Sequence, residues 1–338
     1  MPSLWQMELA PPEHGGGLRA WARRFGRPLG EWVDLSTGIN PRGWSVPELP
    51  SEVWQRLPEE DDGLAAAAAA YYGTEGAVPV PGVQAAIQLL PYLRPPCRVG
   101  VPAIGYAEHA YRWRLAGHQI IELPEDEAEA ALGNLDVLVV IHPNNPTGRR
   151  WPADHLLAWH EILGARGGWL VVDESFIDPT PEASLVQAAN RPGLIILRSL
   201  GKFFGLGGAR VGFVFTEERL AAQVRRLIGP WSVGHPARWV ARLALLDHAW
   251  QARARVELAA ASERLAGSLG EQGLAPAGGT ALFQWILTPD AATIQRHLAE
   301  EGILVRRFAY PASLRFGLPA DEAGWARLEK ALVSLNLW

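Results

Sequence analysis

The feature that most limits the folds open to this chain is a series of near-continuous aliphatic runs through its middle, separated by helix-like stretches. The runs are Arg98-Val99-Gly100-Val101, Leu135 through Ile141, Trp169-Leu170-Val171-Val172, Leu194-Ile195-Ile196-Leu197 and Val211 through Phe215. A strand with one wet face alternates apolar and polar residues. A strand covered on both faces need not, and a mainly parallel sheet is the usual setting for such strands. The runs therefore predict a doubly wound α/β domain. Folds of this kind place ligands at the carboxyl ends of their strands, and polar residue types of this chain cluster just after the runs.

After Pro230 the texture changes. Arg238 through Leu269, rich in Ala, Leu and Arg, predicts a long helical stretch broken near Asp247-His248. Beyond Gly278-Gly279-Thr280 come an expected strand over Ala281 to Leu287, a helix from Ala291 to Glu301, strands at Ile303 to Arg306 and Ser313 to Gly317, and a last helix from Asp321. That order suggests a smaller α+β domain. With 338 residues the chain is long enough for two domains or one large α/β unit. The first forty residues, with Pro11-Pro12 and three consecutive glycines, suggest no domain of their own. Leu64 through Tyr72 is an alanine-rich helix, with Gly73 as its C-terminal cap.

Composition excludes several function classes. A net charge of -5 gives no sign of a nucleic-acid surface, and pairs such as Arg23-Arg24, Arg149-Arg150 and Arg306-Arg307 are scattered. The single Cys97 rules out an intramolecular disulfide framework and a cysteine metal cluster; no metal is expected, and the cytosol is the natural compartment. Met1 through Glu8 lacks the basic and apolar regions of a signal peptide. No apolar run approaches the ~20 residues that span a bilayer, so no membrane partner is expected.

Lys202 lies in Ser199-Leu200-Gly201-Lys202-Phe203-Phe204-Gly205-Leu206-Gly207-Gly208-Ala209-Arg210. Such company suggests a desolvated amine, which favours the neutral form that can form a Schiff base with an aldehyde cofactor; a plain lysine in a glycine-rich loop after a strand would use the same residues. In Pro81-Gly82-Val83-Gln84, Gly82 opens a helix at which exposed amides suit an anion. A plain strand-to-helix turn would use the same residues. Asn144 and Asn145, in a loop bracketed by Pro143 and Pro146, are equally suited to turn formation and to bonding a ring oxygen. Asp173 ends a buried run. It could cap a helix, or it could hold a cationic partner such as a protonated pyridine nitrogen, since a buried carboxylate needs one.

The order Gly82, Tyr106, Asn145, Asp173, Ser199, Lys202, Arg210 and Arg315 resembles the fold type I pyridoxal-phosphate enzymes of the aminotransferase class I/II superfamily. The resemblance implies a large domain with a mainly parallel seven-stranded sheet over residues 41–234, and a smaller α+β domain from residues 1–40 and 235–338. It implies pyridoxal 5'-phosphate as cofactor, with Lys202 its covalent anchor and Asp173 the acid that keeps the pyridine nitrogen protonated. Asn145 matches the asparagine on the phenolic oxygen, and Tyr106 the aromatic stacked on the ring. Ser199, Arg210 and the amides of Val83 and Gln84 match the phosphate cradle. Arg315 matches the arginine that clamps the substrate carboxylate. Such enzymes are generally homodimers with sites near the subunit interface.

One departure carries information. Aminotransferases of this group usually have a tyrosine three residues after the aspartate, and this chain has Phe176. A phenylalanine cannot donate to the phenolic oxygen. The segments Glu13-His14-Gly15-Gly16-Gly17-Leu18 and Asp34-Leu35-Ser36-Thr37-Gly38-Ile39-Asn40-Pro41 are similar to the opening of the threonine-phosphate decarboxylases of cobalamin biosynthesis. Leu35 stands where that family has an aromatic, and Gly17 where an asparagine is common. The resemblance implies decarboxylation of L-threonine O-3-phosphate to (R)-1-amino-2-propanol O-2-phosphate, with Lys202 or water returning a proton to Cα. It makes His14, Asn40, Arg306, Arg149 and Arg150 candidates for substrate binding beside Arg315. Histidinol-phosphate aminotransferases look alike through the core, and a noncatalytic protein that binds the cofactor is the reading from another class.

Overall fold

The computed structural model describes residues 10–335. The opening octapeptide, weighed above for a signal sequence, lies outside them. The described chain divides into two compact units: residues 10–12 with Trp44–Asn145 and Arg150–Ala252, and Glu13–Gly43 with Pro146–Arg149 and residues 253–335.

The first unit is built on a sheet of seven strands: β1 (Val78–Val80), β2 (Arg98–Pro102), β3 (Gln119–Leu123), β4 (Val137–Ile141), β5 (Trp169–Asp173), β6 (Leu194–Ser199) and β7 (Gly212–Phe215). Their order across the sheet is β1-β7-β6-β5-β4-β2-β3. Pairings among β3, β2, β4, β5 and β6 are parallel, whereas β7 runs antiparallel to both neighbours. Each of the five aliphatic runs became a strand. Val137, Val139, Val171, Ile195 and Leu197 pack on one face with Ala86, Ile87, Leu220 and Val224 from helices Val83–Leu89 and Glu218–Ile228. The alternate residues Leu138, Val140, Leu170, Val172, Leu194 and Ile196 are buried as well, none more than 5% exposed. Burial on both faces is why the runs show no alternation, and each such side chain stabilises the unit by about 1.5–3 kcal/mol.

Register brings the carboxyl ends of the parallel strands level. Asp173 stands opposite Ile141 on β4 and Leu197 on β6. Because β2 leads to one flank of the sheet and β4 to the other, chain direction switches between them, where α/β sheets open a crevice. The alanine-rich helix spans Leu64–Tyr72, and Gly73 caps it in the left-handed conformation at φ 71°. The expected break at Asp247 is present, separating helices His235–Leu246 and His248–Gly270.

In the second unit, strands β8 (Gly278–Thr280), β9 (Phe283–Leu287), β10 (Arg306–Phe308) and β11 (Ser313–Gly317) form an antiparallel sheet in the order β10-β11-β9-β8. Two expectations change here. Ala281 and Leu282 form the turn between β8 and β9, since Phe283 pairs with Thr280 and the Thr280 hydroxyl accepts the Leu282 amide at 3.1 Å. The apolar stretch Ile303 to Arg306 is split at Val305. Ile303–Leu304 pairs parallel with Val33–Asp34, and Arg306 begins β10 in the other sheet. Helix Leu18–Phe25 packs Trp21, Ala22 and Phe25 against Trp32, Ala299 and Leu304. The final helix, Glu322–Val333, starts where the Asp321 side chain accepts the Gly324 amide at 2.8 Å.

Candidate active site

Loops leaving the carboxyl ends of β2, β4, β5 and β6 supply the walls of a cavity of about 150 Å³ in the first unit. Val83, Gln84, Tyr106, Asn145, Asp173, Ser199, Lys202 and Arg210 all line it, joined by Ser175 and Phe176. Residues spread over more than a hundred positions meet here because parallel strands end level.

Asp173 is 3% exposed at the end of β5. Its Oδ1 accepts the Ser175 amide at 3.0 Å and the Ser175 hydroxyl, and its Oδ2 meets Nε2 of His109 at 3.0 Å. Burial alone would push this carboxyl up. The hydrogen bond and charge of His109, with both Ser175 donors, outweigh burial and hold it below its ordinary value. The group is therefore an interior anion. It suits a cationic partner in the cavity better than it suits a helix cap, and no helix begins there.

Lys202 holds its Nζ 5.2 Å from the centre of the Phe176 ring. The two asparagines have separate work. The Asn144 amide donates to the Ile104 carbonyl at 2.8 Å and to Glu125 at 2.7 Å, tying loops together, while Asn145 lines the cavity. Gly82 stands at φ 77°, and a Cβ there would come within 2.5 Å of Nη2 of Arg210. Only glycine lets the guanidinium lie across that turn. Arg210 is itself left-handed at φ 54° and donates to the Gly207 carbonyl at 3.1 Å, so some strain is stored at the cavity. Burial, then the carboxylates of Glu108 and Asp173, push the Tyr106 hydroxyl up to about 12, so it stays protonated at neutral pH.

The residue after Asp173 belongs to a different network. Glu174 accepts the Leu185 amide at 2.7 Å and Nη1 of Arg198 at 3.1 Å. Arg198 reaches Asp178 through Nη2 at 2.6 Å, and the Tyr71 hydroxyl donates to the same carboxylate at 2.9 Å. Arg198 is 2% exposed and both carboxylates are 0% exposed. Burial raises the Glu174 carboxyl, although Arg198 opposes it. Glu174 and Asp178 flank Phe176, so Arg198 pins the loop that presents the ring.

The second unit holds the remaining candidates, apart from Arg150. Arg315 on β11 is paired in register with Arg306 on β10. Like charges directly opposite each other weaken a strand pair. Arg315 is 5% exposed, donates to the Ser36 carbonyl and lies 5.2 Å from the Phe283 ring centre. Burial, then the charge of Arg306, lower it to about 10 against the pull of Asp34, so it remains a cation at neutral pH. Arg306 donates to the carbonyls of Glu13 at 2.7 Å and His14 at 3.2 Å. With His14, Gly15, Arg24 and Arg307 it lines a second cavity of about 430 Å³. Gly15 is required by close approach, for a Cβ would stand 2.4 Å from the Ser36 carbonyl oxygen. Asn40 is buried, and its Oδ1 accepts the Arg42 amide at 2.9 Å. Arg150, in the first unit, is exposed and lines neither cavity.

Sequence reasoning missed His109, Ser175, Glu108 and Arg198. His109 follows Tyr106 by one helical turn, and its amide donates to the Tyr106 carbonyl at 3.1 Å. That spacing was the one available signal. Among the described residues, no group of His, Cys, Asp and Glu is placed to hold a metal ion, and no helix is long and apolar enough to cross a membrane.

Residues 49–331 match the family model described as aminotransferase class I and II. A threonine-phosphate decarboxylase of Pseudomonas aeruginosa is 55% identical over 96% of this chain and 98% of its own length. Another, from a Sinorhizobium species, is 41% identical over 97% of this chain and 99% of its own. The solved structure of histidinol-phosphate aminotransferase from Sinorhizobium meliloti, in complex with pyridoxal-5'-phosphate, superposes with a TM-score of 0.85 at 20% identity. It covers 99% of this chain and 97% of that one, and the likeness is one of fold.

Proposed function

From the premise that the chain belongs to the aminotransferase class I and II family, we propose that it is a pyridoxal-phosphate-dependent threonine-phosphate decarboxylase acting on L-threonine O-3-phosphate. The products are carbon dioxide and (R)-1-amino-2-propanol O-2-phosphate, the aminopropanol arm of cobalamin. The observation that carries this reading beyond the family is Phe176, whose ring lies 5.2 Å from Nζ of Lys202 in a position where aminotransferases place a phenol. Relatives of that activity at 55% and 41% identity support it.

The first cavity fits the cofactor. It offers an amine at Lys202, a buried anion at Asp173, an aromatic wall at Tyr106, and Arg210 laid against Gly82, where a side chain would fill the cradle. Bound there, pyridoxal phosphate supplies an electron sink for the pair left on the substrate Cα when carbon dioxide departs. Asp173 would keep the ring nitrogen protonated, and Asn145 would bond the phenolic oxygen. Ser199, Arg210 and the Val83 and Gln84 amides would hold the cofactor phosphate. Lys202 would be the residue that holds the aldehyde, and its Nζ would return one proton to the substrate Cα, which balances the carbon dioxide lost. Arg315 takes the substrate carboxylate, and His14, Arg306, Asn40 and Arg150 are the groups proposed for the rest of the substrate. The opposed charges of Arg306 and Arg315 favour an anionic ligand, which would relieve their repulsion.

Incubation with L-threonine O-3-phosphate should release carbon dioxide without any keto acid, and mass spectrometry should find the aminopropanol phosphate. Conversion of histidinol phosphate dependent on 2-oxoglutarate, with no carbon dioxide from threonine phosphate, would overturn the reading in favour of an aminotransferase. A homodimer in the cytosol completes the proposal, supported by the habit of the family and the lone cysteine. Light scattering that finds an active monomer would remove the dimer.

A further inference from the structure

Tyr106 and Gln84 line the cavity together, and the Tyr106 hydroxyl donates to Oε1 of Gln84 at 3.0 Å. The other end of that amide is committed as well. Nε2 of Gln84 donates to Oε2 of Glu108, which also accepts Nε of Arg112 at 2.8 Å. Glu108 is 3% exposed, whereas the Arg112 side chain is 27% exposed and reaches water. A carboxylate only accepts, so the amide nitrogen must face Glu108 and the amide oxygen must face Tyr106. The phenol must then donate to Gln84, and one proton arrangement satisfies the whole chain from Arg112 to Tyr106. On its other side the Tyr106 ring meets His109 edge-on, with centroids 6.3 Å apart and planes at 83°. His109 is in turn held by Asp173.

We infer that Glu108 is a positioning residue: acting through Gln84, it fixes the Tyr106 hydroxyl and with it the plane that the ring presents to the cavity. Without Glu108 the Gln84 amide is free to flip or turn, and the phenol loses its single orientation. The role is distinct from catalysis, since Glu108 does not line the cavity. It rests on the reading of that cavity as the cofactor site.

A double-mutant cycle tests it. The dissociation constant of pyridoxal phosphate is measured by the growth of visible absorbance on reconstituting the apoprotein, for the wild type, Glu108→Ala, Tyr106→Ala and the double variant. Loss of a charge-assisted bond predicts about tenfold weaker binding for Glu108→Ala. In the Tyr106→Ala background the same change should have little further effect, because the ring through which Glu108 acts is gone. The visible circular dichroism of the bound chromophore should weaken in Glu108→Ala, recover in part in Glu108→Gln, and weaken likewise in Gln84→Ala, which serves if Glu108→Ala does not fold. Additive losses across the cycle, or unchanged dichroism in Gln84→Ala, would overturn the inference. A failure of the cofactor reading looks different: the wild type would then develop no visible band, or Lys202→Ala would keep it.

Discussion

The two units treat their buried charges in opposite ways. In the first, Asp173, Glu174, Asp178, Arg198 and Glu108 each lie against partners of opposite charge or strong donors, and the walls of the cavity are assembled before any ligand is considered. In the second, buried Arg315 and half-buried Arg306 face each other across a strand pair; Ser36, His14 and Glu13 offer backbone carbonyls, and the exposed Glu13 carboxylate stands 3.9 Å from Arg306. Paired charges fix the loops that wall the cavity. Opposed like charges weaken the strand pair that carries them.

The contrast can be broken at its strongest point first. Replacing Lys202 with Ala should abolish the visible cofactor band and lower turnover of threonine phosphate by about 10⁴-fold, measured as carbon dioxide release, because the proposed covalent anchor and proton donor are one residue. Arg198→Met comes next. It strands Glu174 and Asp178 in the interior, and urea denaturation should show a loss of about 3–5 kcal/mol. A loss under 1 kcal/mol would mean that this unit does not depend on pairing its charges.

Asp173→Asn should remove about 1–3 kcal/mol at pH 6, and the pH dependence gives the sign. His109 and Ser175 hold the native carboxyl below its ordinary 3.8 despite burial, so its contribution is complete above that value and fades as pH falls through the native one. The gap between wild type and variant should narrow below pH 3.8, and a gap that instead narrows as pH rises would contradict the assigned cause. The smallest effect belongs to the second unit. Arg306→Gln should raise stability by about 0.2–1 kcal/mol while raising KM for threonine phosphate, a trade of stability against function. A variant that is less stable would show that the arginine pair is structural.

Much of this was legible beforehand, for reasons that differ by element. The strands of the large sheet stood out because burial on both faces forces aliphatic residues at every position, and Gly73 marked its helix end because it takes the left-handed conformation there. Asp173 ends a parallel strand, and Tyr106, Asn145 and Lys202 follow strands whose ends lie on the same edge, whereas Arg210 precedes β7 and was read only from the family resemblance. The stretch Ile303 to Arg306 was misread as one strand because a change of sheet at Val305 leaves no mark on apolar periodicity. Ser175 and Arg198 drew no reading, the first beside Asp173 and the second just past an aliphatic run, because nothing in residue type along the chain marks their partners. Glu108 drew no reading either, although its fold position buries it.

By itself the sequence determined where apolar surface must be hidden, and therefore the sheet, its helical cover and the edge on which the reactive residues fall. Only the tertiary structure decided which polar groups answer one another. His109 reaches Asp173 across 64 positions, and Arg306 faces Arg315 through strand register. The reason is physical. Hydrophobic burial is non-directional and is written in residue type along the chain. A hydrogen bond or an ion pair needs a particular atom about 3 Å away at a proper angle, and that partner is chosen by packing.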